Sequence, residues 1–246
     1  MQIIPAFVTQ NKCYQAGAPL TPRGIMLHSV GTPQPSAAVF ARSFNQYQPG
    51  GVSVCVHAFA QADGTVYQTL PWEMRGWHCG GSANSTHIGV EMTEPSAGMT
   101  RSEAAEQIAG TYRTVVELFA ELCKQYELDP AQDGVLIGHA EGHRRGVASN
   151  HADPELLWRT YDMGYTMDGF RADVAEAMKN GAREEALDMP RYDSVAEMPQ
   201  WARADAQRLI DRGALQGNTD GKLDVSEDML RTMIVCQRMV DEQKET

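Results

Sequence analysis

No run of apolar residues in this 246-residue chain approaches the roughly 18 that a membrane span requires. The opening Met1-Gln2-Ile3-Ile4-Pro5 has no basic residue and leads into no signal-type apolar stretch, so the chain is expected to stay in the cytoplasm as made, without membrane insertion. Cysteine is scarce. Cys13, Cys55, Cys79, Cys123 and Cys236 make an odd number with no CxxC pair, which argues against a disulfide framework or a Cys-type zinc knuckle and leaves buried free thiols as the expectation. Positive charge is in deficit, with 21 Lys and Arg against 32 Asp and Glu for a formal net charge of -11. Nucleic acid is therefore not an expected partner, because a phosphate backbone is met with a surplus of cations. Any anionic polymer would have to be recognised by shape and hydrogen bonds.

What is present is concentrated between Gly138 and Pro154, where His139, His143 and His151 share a short stretch with Glu141, Asp153 and small residues. Gly138, Gly142 and Gly146 disfavour a continuous helix there, since Gly costs roughly 1 kcal/mol against Ala in a helix interior. The expectation is a loop after a short strand, Val135-Leu136-Ile137, and loops on a rigid scaffold are where ligating groups gather.

Upstream, Gly24-Ile25-Met26-Leu27-His28-Ser29 reads as a buried strand ending at a histidine, followed by a Gly31/Pro33/Pro35 turn and a helix to about Tyr47. Residues 53–60 and 65–70 read as a hairpin about Asp63-Gly64, with Ser53, Cys55, His57 and Phe59 on one face. A Gly-rich segment with Trp72, Trp77 and His78 then suggests a rim over a pocket, and Ile88-Gly89-Val90-Glu91-Met92 a strand holding a carboxylate where burial is expected. Thr100-Arg101-Ser102-Glu103 is a capping box opening a helix to about Tyr126, with Ile108, Tyr112, Val115, Val116, Phe119 and Leu122 as its stripe. Pro154 opens the next helix.

The length predicts one large domain with an appendage. A first domain is expected over residues 1–170, a helical linker region over 171–192 broken by Met189-Pro190, and a helix-loop-helix module over 193–246. In that module Ser194-Val195-Ala196-Glu197 repeats the capping pattern before a helix with Trp201, Ala206, Leu209 and Ile210; Gly213 ends it, and Ser226 caps a helix with Met229, Leu230, Met233, Ile234 and Val240. So small a unit is expected to dock or to form a homodimer.

A catalytic zinc takes three ligands from His, Asp, Glu or Cys and leaves one position for water. His28, His139 and Asp153 are the candidates, each opening or closing a short element. The bland alternative is surface histidines and a capping Asp. A pair at His139 and His143, or ligation by His151, remains open at this level. Glu91 is the candidate general base, since a carboxylate in an apolar strand can have its pKa moved towards neutrality; pairing to an Arg is the alternative. Trp72, Trp77 and His78 line a groove or anchor a loop.

Taken in order, Ile25-Met26-Leu27-His28-Ser29, His57 before Asp63-Gly64-Thr65-Val66-Tyr67-Gln68, Trp77-His78, Ile88-Gly89-Val90-Glu91, Gly138-His139 and His151-Ala152-Asp153-Pro154 closely resemble the type 2 N-acetylmuramoyl-L-alanine amidases, a family that shares its fold with peptidoglycan recognition proteins and includes phage endolysins. The resemblance covers roughly residues 20 to 165. It implies an α/β fold with a central mixed β-sheet flanked by helices, beside a small all-α C-terminal module. It further implies Zn²⁺ on His28, His139 and Asp153, with Glu91 and His151 as catalytic groups. Bacterial peptidoglycan is the implied partner, bound by His57, Trp72, Trp77, His78 and Asn84. Two positions depart, with Val56 where members often have Tyr and His151 where they often have Lys. The implied reaction is metal-assisted hydrolysis of the amide between N-acetylmuramic acid and L-alanine, as in an endolysin released through a holin. A non-catalytic wall-binding protein, a muropeptide-recycling amidase and an enzyme cutting a peptide bond are the alternatives.

The C-terminal residues, notably Trp201-Ala202 and Leu223-Asp224-Val225-Ser226-Glu227, resemble small wall-binding modules of endolysins, distantly similar to S-layer homology repeats. A competing local reading is a calcium loop with Asn218, Asp220, Gly221 and Glu227, although Gln216 stands where its first Asp belongs.

Overall fold

The run Gly24–Ser29 forms strand β2 with five of its six residues buried, as a strand covered on both faces requires. The structure is a computed structural model that describes residues 1–46, 54–188 and 190–242; Tyr47, Ser53 and the side chain of Val240 lie outside the described residues. Beside β2 the first unit holds β1 (Gln2–Pro5), α1 (Lys12–Ala16), α2 (Ala37–Phe44), β3 (Ala58–Ala60), β4 (Thr65–Gln68), β5 (His87–Met92), α3 (Arg101–Gln125), β6 (Leu136–Gly138), α4 (His139–Arg144), α5 (Glu155–Thr160) and, as far as Asn180, α6 (Met167–Asp188). Six strands form one sheet in the order β1-β4-β3-β5-β2-β6. All neighbours run parallel except β3 and β4, so the sheet is mixed, with helices packed against it.

The hairpin is shorter than its residues suggested. Cys55 exchanges both backbone hydrogen bonds with Trp77 (3.1 and 2.9 Å), and His57 N–H donates to Gly89 O, so the chain joins the β3–β4 ladder only at Ala58. The one-face expectation fails accordingly. Phe59 packs with Val56, Phe40 and Phe44, whereas Cys55 packs with Val8 and Leu70.

Helix α3 buries Ile108, Tyr112, Val115, Phe119 and Leu122, as its 3.6-residue stripe requires. Its Thr100 hydroxyl accepts from Glu103 N–H while Glu103 reaches back to Thr100 N–H. Thr100→Ala is expected to cost about 1 kcal/mol, lowering Tm by roughly 3 °C for a chain of this size in thermal denaturation.

Against the expectation of a loop, His139–Arg144 is helical. A Cβ on Gly142 would stand 2.8 Å from Met26 Cε and 3.1 Å from Ala148 Cβ, so packing against β2 favours the glycine that helix propensity disfavours. Phe170 and Val174 of α6 are fully buried in the main core. The first compact unit accordingly runs from Met1 to Asn180, past the boundary that composition suggested. Among the described residues no helix is long and apolar enough to cross a membrane. The five cysteines are unpaired, four of them buried and Cys236 exposed.

The second unit, Gly181–Thr246, has its own core of Met198, Ala202, Ala206, Leu209, Leu215, Val225, Leu230 and Ile234. Helices α7 (Gln200–Asp211) and α8 (Glu227–Glu242) are each preceded by one strand of a two-strand ladder, β7 (Arg191–Tyr192) with β8 (Val225–Ser226), which the helix-loop-helix expectation lacked. Ser194 does not cap α7, which starts after Pro199; Glu197 accepts instead from Asp193 N–H at 2.8 Å. Ser226 Oγ accepts from Met229 N–H at 3.3 Å, and Gly213 sits at φ +71° past the end of α7. Trp201 is exposed, with the Arg231 guanidinium 4.6 Å above its ring. The loop from Gln216 is not built for calcium: Asn218 Oδ1 accepts from the N–H groups of Asp220 and Lys222, and Glu227 is engaged by Arg231 and Tyr192.

Candidate active site

Sheet register puts the chemistry at one edge. Leu27 of β2 is the Cα partner of Gly138 of β6, so the next residues, His28 and His139, leave adjacent parallel strands side by side. On the other flank of β2, His28 is itself the Cα partner of Glu91. The carboxyl ends of parallel strands are where open α/β sheets bind ligands. Asp153 arrives from the α4–α5 connection, held by its carbonyl accepting from Ala140 N–H (3.0 Å) and its Oδ2 from Ser29 N–H (3.3 Å). The bond from Asp153 to Pro154 is cis.

The three side chains converge. His28 Nδ1 lies 3.0 Å from His139 Nδ1 and 3.3 Å from Asp153 Oδ2, and His139 Nδ1 lies 3.6 Å from Asp153 Oδ1. Among the described residues these three are the group of His, Cys, Asp or Glu side chains whose donor atoms could hold a metal ion. A tetrahedral zinc with bonds of roughly 2.0–2.2 Å spaces its ligand atoms about 3.3–3.6 Å apart, so the donor set fits that ion in type, number and spacing.

The far nitrogens of both imidazoles are held. His28 Nε2 stands 2.9 Å from His78 Nδ1, and His78 Nε2 stands 3.1 Å from His87 O. That carbonyl can only accept, so His78 carries its proton on Nε2 and offers the Nδ1 lone pair to His28 Nε2–H. His28 is thereby left with Nδ1 free to ligate. His139 Nε2 lies 3.2 Å from Ser149 Oγ, whose hydroxyl is also within reach of Cys79 O (2.9 Å) and His151 Nδ1 (3.0 Å). Such outer partners fix ligand tautomer and orientation.

Electrostatics draw positive charge to the same point. Burial opposes charge on His28, but its hydrogen bond to Asp153 and the charges of Glu91 and Asp153 outweigh it and raise its pKa. Burial also pushes Asp153 up, and His28 more than reverses that. His139 falls to about 4, through burial and then the charge on His28. His139 and Asp153 are thus held in the protonation states that ligation requires, and a cation binding there would take the place of the proton that His28 favours.

Glu91 stands beside this group with Oε2 buried and without a hydrogen-bond partner. Burial raises its pKa to about 7, against the lowering effect of His28. No Arg pairs with it among the described residues, and it opens onto a cleft of about 950 Å³. That cleft is also lined by Trp77, Asn84, His151, Leu156 and Tyr161.

Two of the residues expected to bind substrate do not reach the cleft. His57 is fully buried, accepting from Gly89 N–H at Nδ1 (2.9 Å) and donating from Nε2 to Met74 O (2.7 Å), with Trp72 stacked on it at 6.4 Å. His78 borders the cleft, but both its nitrogens are committed to His28 and His87. Asn84 lines the cleft, with its Oδ1 accepting from the N–H groups of His78 and Cys79. His143 is exposed and belongs to neither the metal group nor this cleft. Sequence reasoning missed Ser149 and Glu94. Glu94 accepts from the Ser29 hydroxyl at 2.7 Å and Gly31 N–H at 2.9 Å, and neither residue had a local signal to mark it.

None of the curated proteins matches the sequence. Solved structures do match by shape. The catalytic domain of XlyA aligns at TM-score 0.52 and 22% identity over 71% of this chain and 99% of that one. The Staphylococcus aureus hydrolase AmiA, solved with its ligand, aligns at 0.56 and 20% over 72% and 83%. A mutant endolysin from Bacillus subtilis aligns at 0.52 and 21% over 71% and 99%. At these identities they show a common fold. The family model described as N-acetylmuramoyl-L-alanine amidase matches residues 18–156, more than half of the chain and a span holding His28, Glu91, His139 and Asp153. The chain belongs to the N-acetylmuramoyl-L-alanine amidase family.

Proposed function

We propose that this peptidoglycan amidase is a zinc enzyme of the endolysin type, in which His28, His139 and Asp153 hold the ion, Glu91 and His151 act on the substrate, and the second unit holds the cell wall. The observation that carries the proposal is the unpaired, buried Glu91 Oε2 beside a two-His, one-Asp donor set in an open cleft. Zinc bound there would polarise the lactyl carbonyl and lower the pKa of water to about 7.

The chain's own groups supply the rest. Glu91, with its pKa raised to about 7, accepts a proton from water as the C–O bond forms and returns it to the departing amine nitrogen of L-alanine. His151 has Nδ1 engaged by Ser149, whose own proton goes to Cys79 O, so Nε2 is the nitrogen left for the carbonyl oxygen, to which it donates when the ring carries both protons. Trp77 and Leu156 give the cleft its apolar wall, and Asn84 offers an amide donor. Support for the endolysin type comes from the endolysin named among the structural neighbours. Support for the wall-holding role comes from the separate core of the second unit and the resemblance of its sequence to wall-binding modules.

Digestion of purified walls by the full chain is the test. Mass spectrometry is expected to find new N-terminal alanine and free lactyl carboxylate on muramic acid, with one zinc per chain, activity lost to a chelator and restored by zinc. New ends at any other bond, or undiminished turnover by metal-free protein, would overturn the proposal.

A further inference from the structure

The helix behind Asp153 has two working faces. In α5, Leu156 and Thr160 are i, i+4 neighbours that line the catalytic cleft, while Glu155 and Arg159, the adjacent i, i+4 pair, line a separate groove of about 380 Å³. His143, Arg144, Asn150 and His151 complete that groove. His151 and Ala152 border both spaces, so the groove continues the cleft past the group assigned to the carbonyl oxygen.

Its charge runs against the rest of the molecule. In a chain of net charge -11, two guanidinium groups and two imidazoles face one acid here. Arg159 and His143 have no ion pair or side-chain hydrogen bond among the described residues. Arg144 has only Glu155 Oε1, at 3.6 Å, beyond hydrogen-bond length, and its side chain is mostly exposed. Glu155 Oε2 is turned inward, buried and unpartnered, so this acid leaves the donors of both arginines available.

We infer that this groove is a subsite for a carboxylate of the stem peptide, with Arg144 and Arg159 as its donors. The inference rests on the amidase reading: the scissile amide lies in the cleft, and the peptide on its leaving side must pass out by one of the cleft's open ends. The end at His151 offers planar guanidinium groups, whose paired N–H donors match a carboxylate.

The test uses two soluble substrates, muramyl-L-alanyl-D-glutamate peptides that differ only in a free or amidated α-carboxylate. Wild-type protein is expected to favour the free acid by about fivefold, the upper end for an exposed ion pair, in KM rather than kcat. The preference should shrink as salt screens it. R144Q/R159Q is expected to lose the preference while cutting the amidated peptide at the wild-type rate. An unchanged preference in the variant, no preference in wild type, or equal losses on both peptides would overturn the subsite. If wild type cuts neither peptide, the amidase reading fails instead. Calorimetric binding of the two peptides to zinc-loaded Glu91→Gln then decides the groove by itself, and equal affinities reject it.

Discussion

Glu91→Gln is expected to slow amide hydrolysis by about 10³-fold, within the range for losing a general base, while zinc content stays at one per chain. The substitution keeps size and removes only the ability to take a proton, so metal analysis alongside turnover separates a chemical role from a structural one. A variant with near wild-type turnover and full zinc would remove Glu91 from the chemistry. The working form of Glu91 is the carboxylate. With burial holding its pKa near 7, wild-type kcat/KM is expected to fall on the acid side as Glu91 protonates, and a bound cation moves that limb to lower pH.

The same shift has a consequence for stability, opposite in sign. A folded-state pKa of about 7 lies above the unfolded value of 4.5, so the fold favours protonated Glu91. That contribution is fully present below pH 4.5 and is lost as pH rises through 7. Metal-free Glu91→Gln should therefore gain stability relative to wild type between pH 5 and pH 8, as denaturant titrations at the two pH values would show. The carboxylate proposed as the general base weakens the fold that holds it.

The second large effect is expected from a residue with no chemistry of its own. A Cβ on Gly89 would stand 2.4 Å from His78 Cγ and 2.6 Å from its Nδ1, the atom that faces His28. Gly89→Ala must displace that ring, because Gly89 is fixed by β5 and by its hydrogen bonds with His57 on the other side. Zinc affinity is expected to drop 10–100-fold, the usual effect of removing an outer partner from a ligating histidine. Overpacking adds a stability loss of about 1–3 kcal/mol. Pairing the change with His78→Ala should restore the melting temperature, since the methyl group then has room, without restoring zinc affinity. Wild-type affinity in Gly89→Ala would show that His28 is oriented by something else.

Much of the site was legible because its residues break their local pattern. His28 closes an apolar strand, Glu91 sits within one, and Asp153 precedes Pro154. The stripe of α3 and the cap at Thr100 were equally plain, since both depend on neighbours three or four residues away. Sequence spacing marks the imidazoles of His57 and His78 without saying what their nitrogens meet: His57 lies buried away from the cleft, and His78 borders it with both nitrogens committed. Their partners, Met74, Gly89, His28 and His87, come from other segments of the chain.

Local pattern and composition thus determined the short apolar strands, the long helix and the place of Glu91 within one of the strands, because each is set by residues close along the chain. Only the tertiary structure decided which histidines converge with Asp153, which stand behind them and which are buried away from the cleft, that residues 139–144 coil into a helix against Met26, and that two arginines are left without a full partner at the end of the cleft. Those outcomes depend on hydrogen bonds and contacts between segments up to about a hundred residues apart, and backbone pairing across a sheet fixes them where sequence proximity cannot.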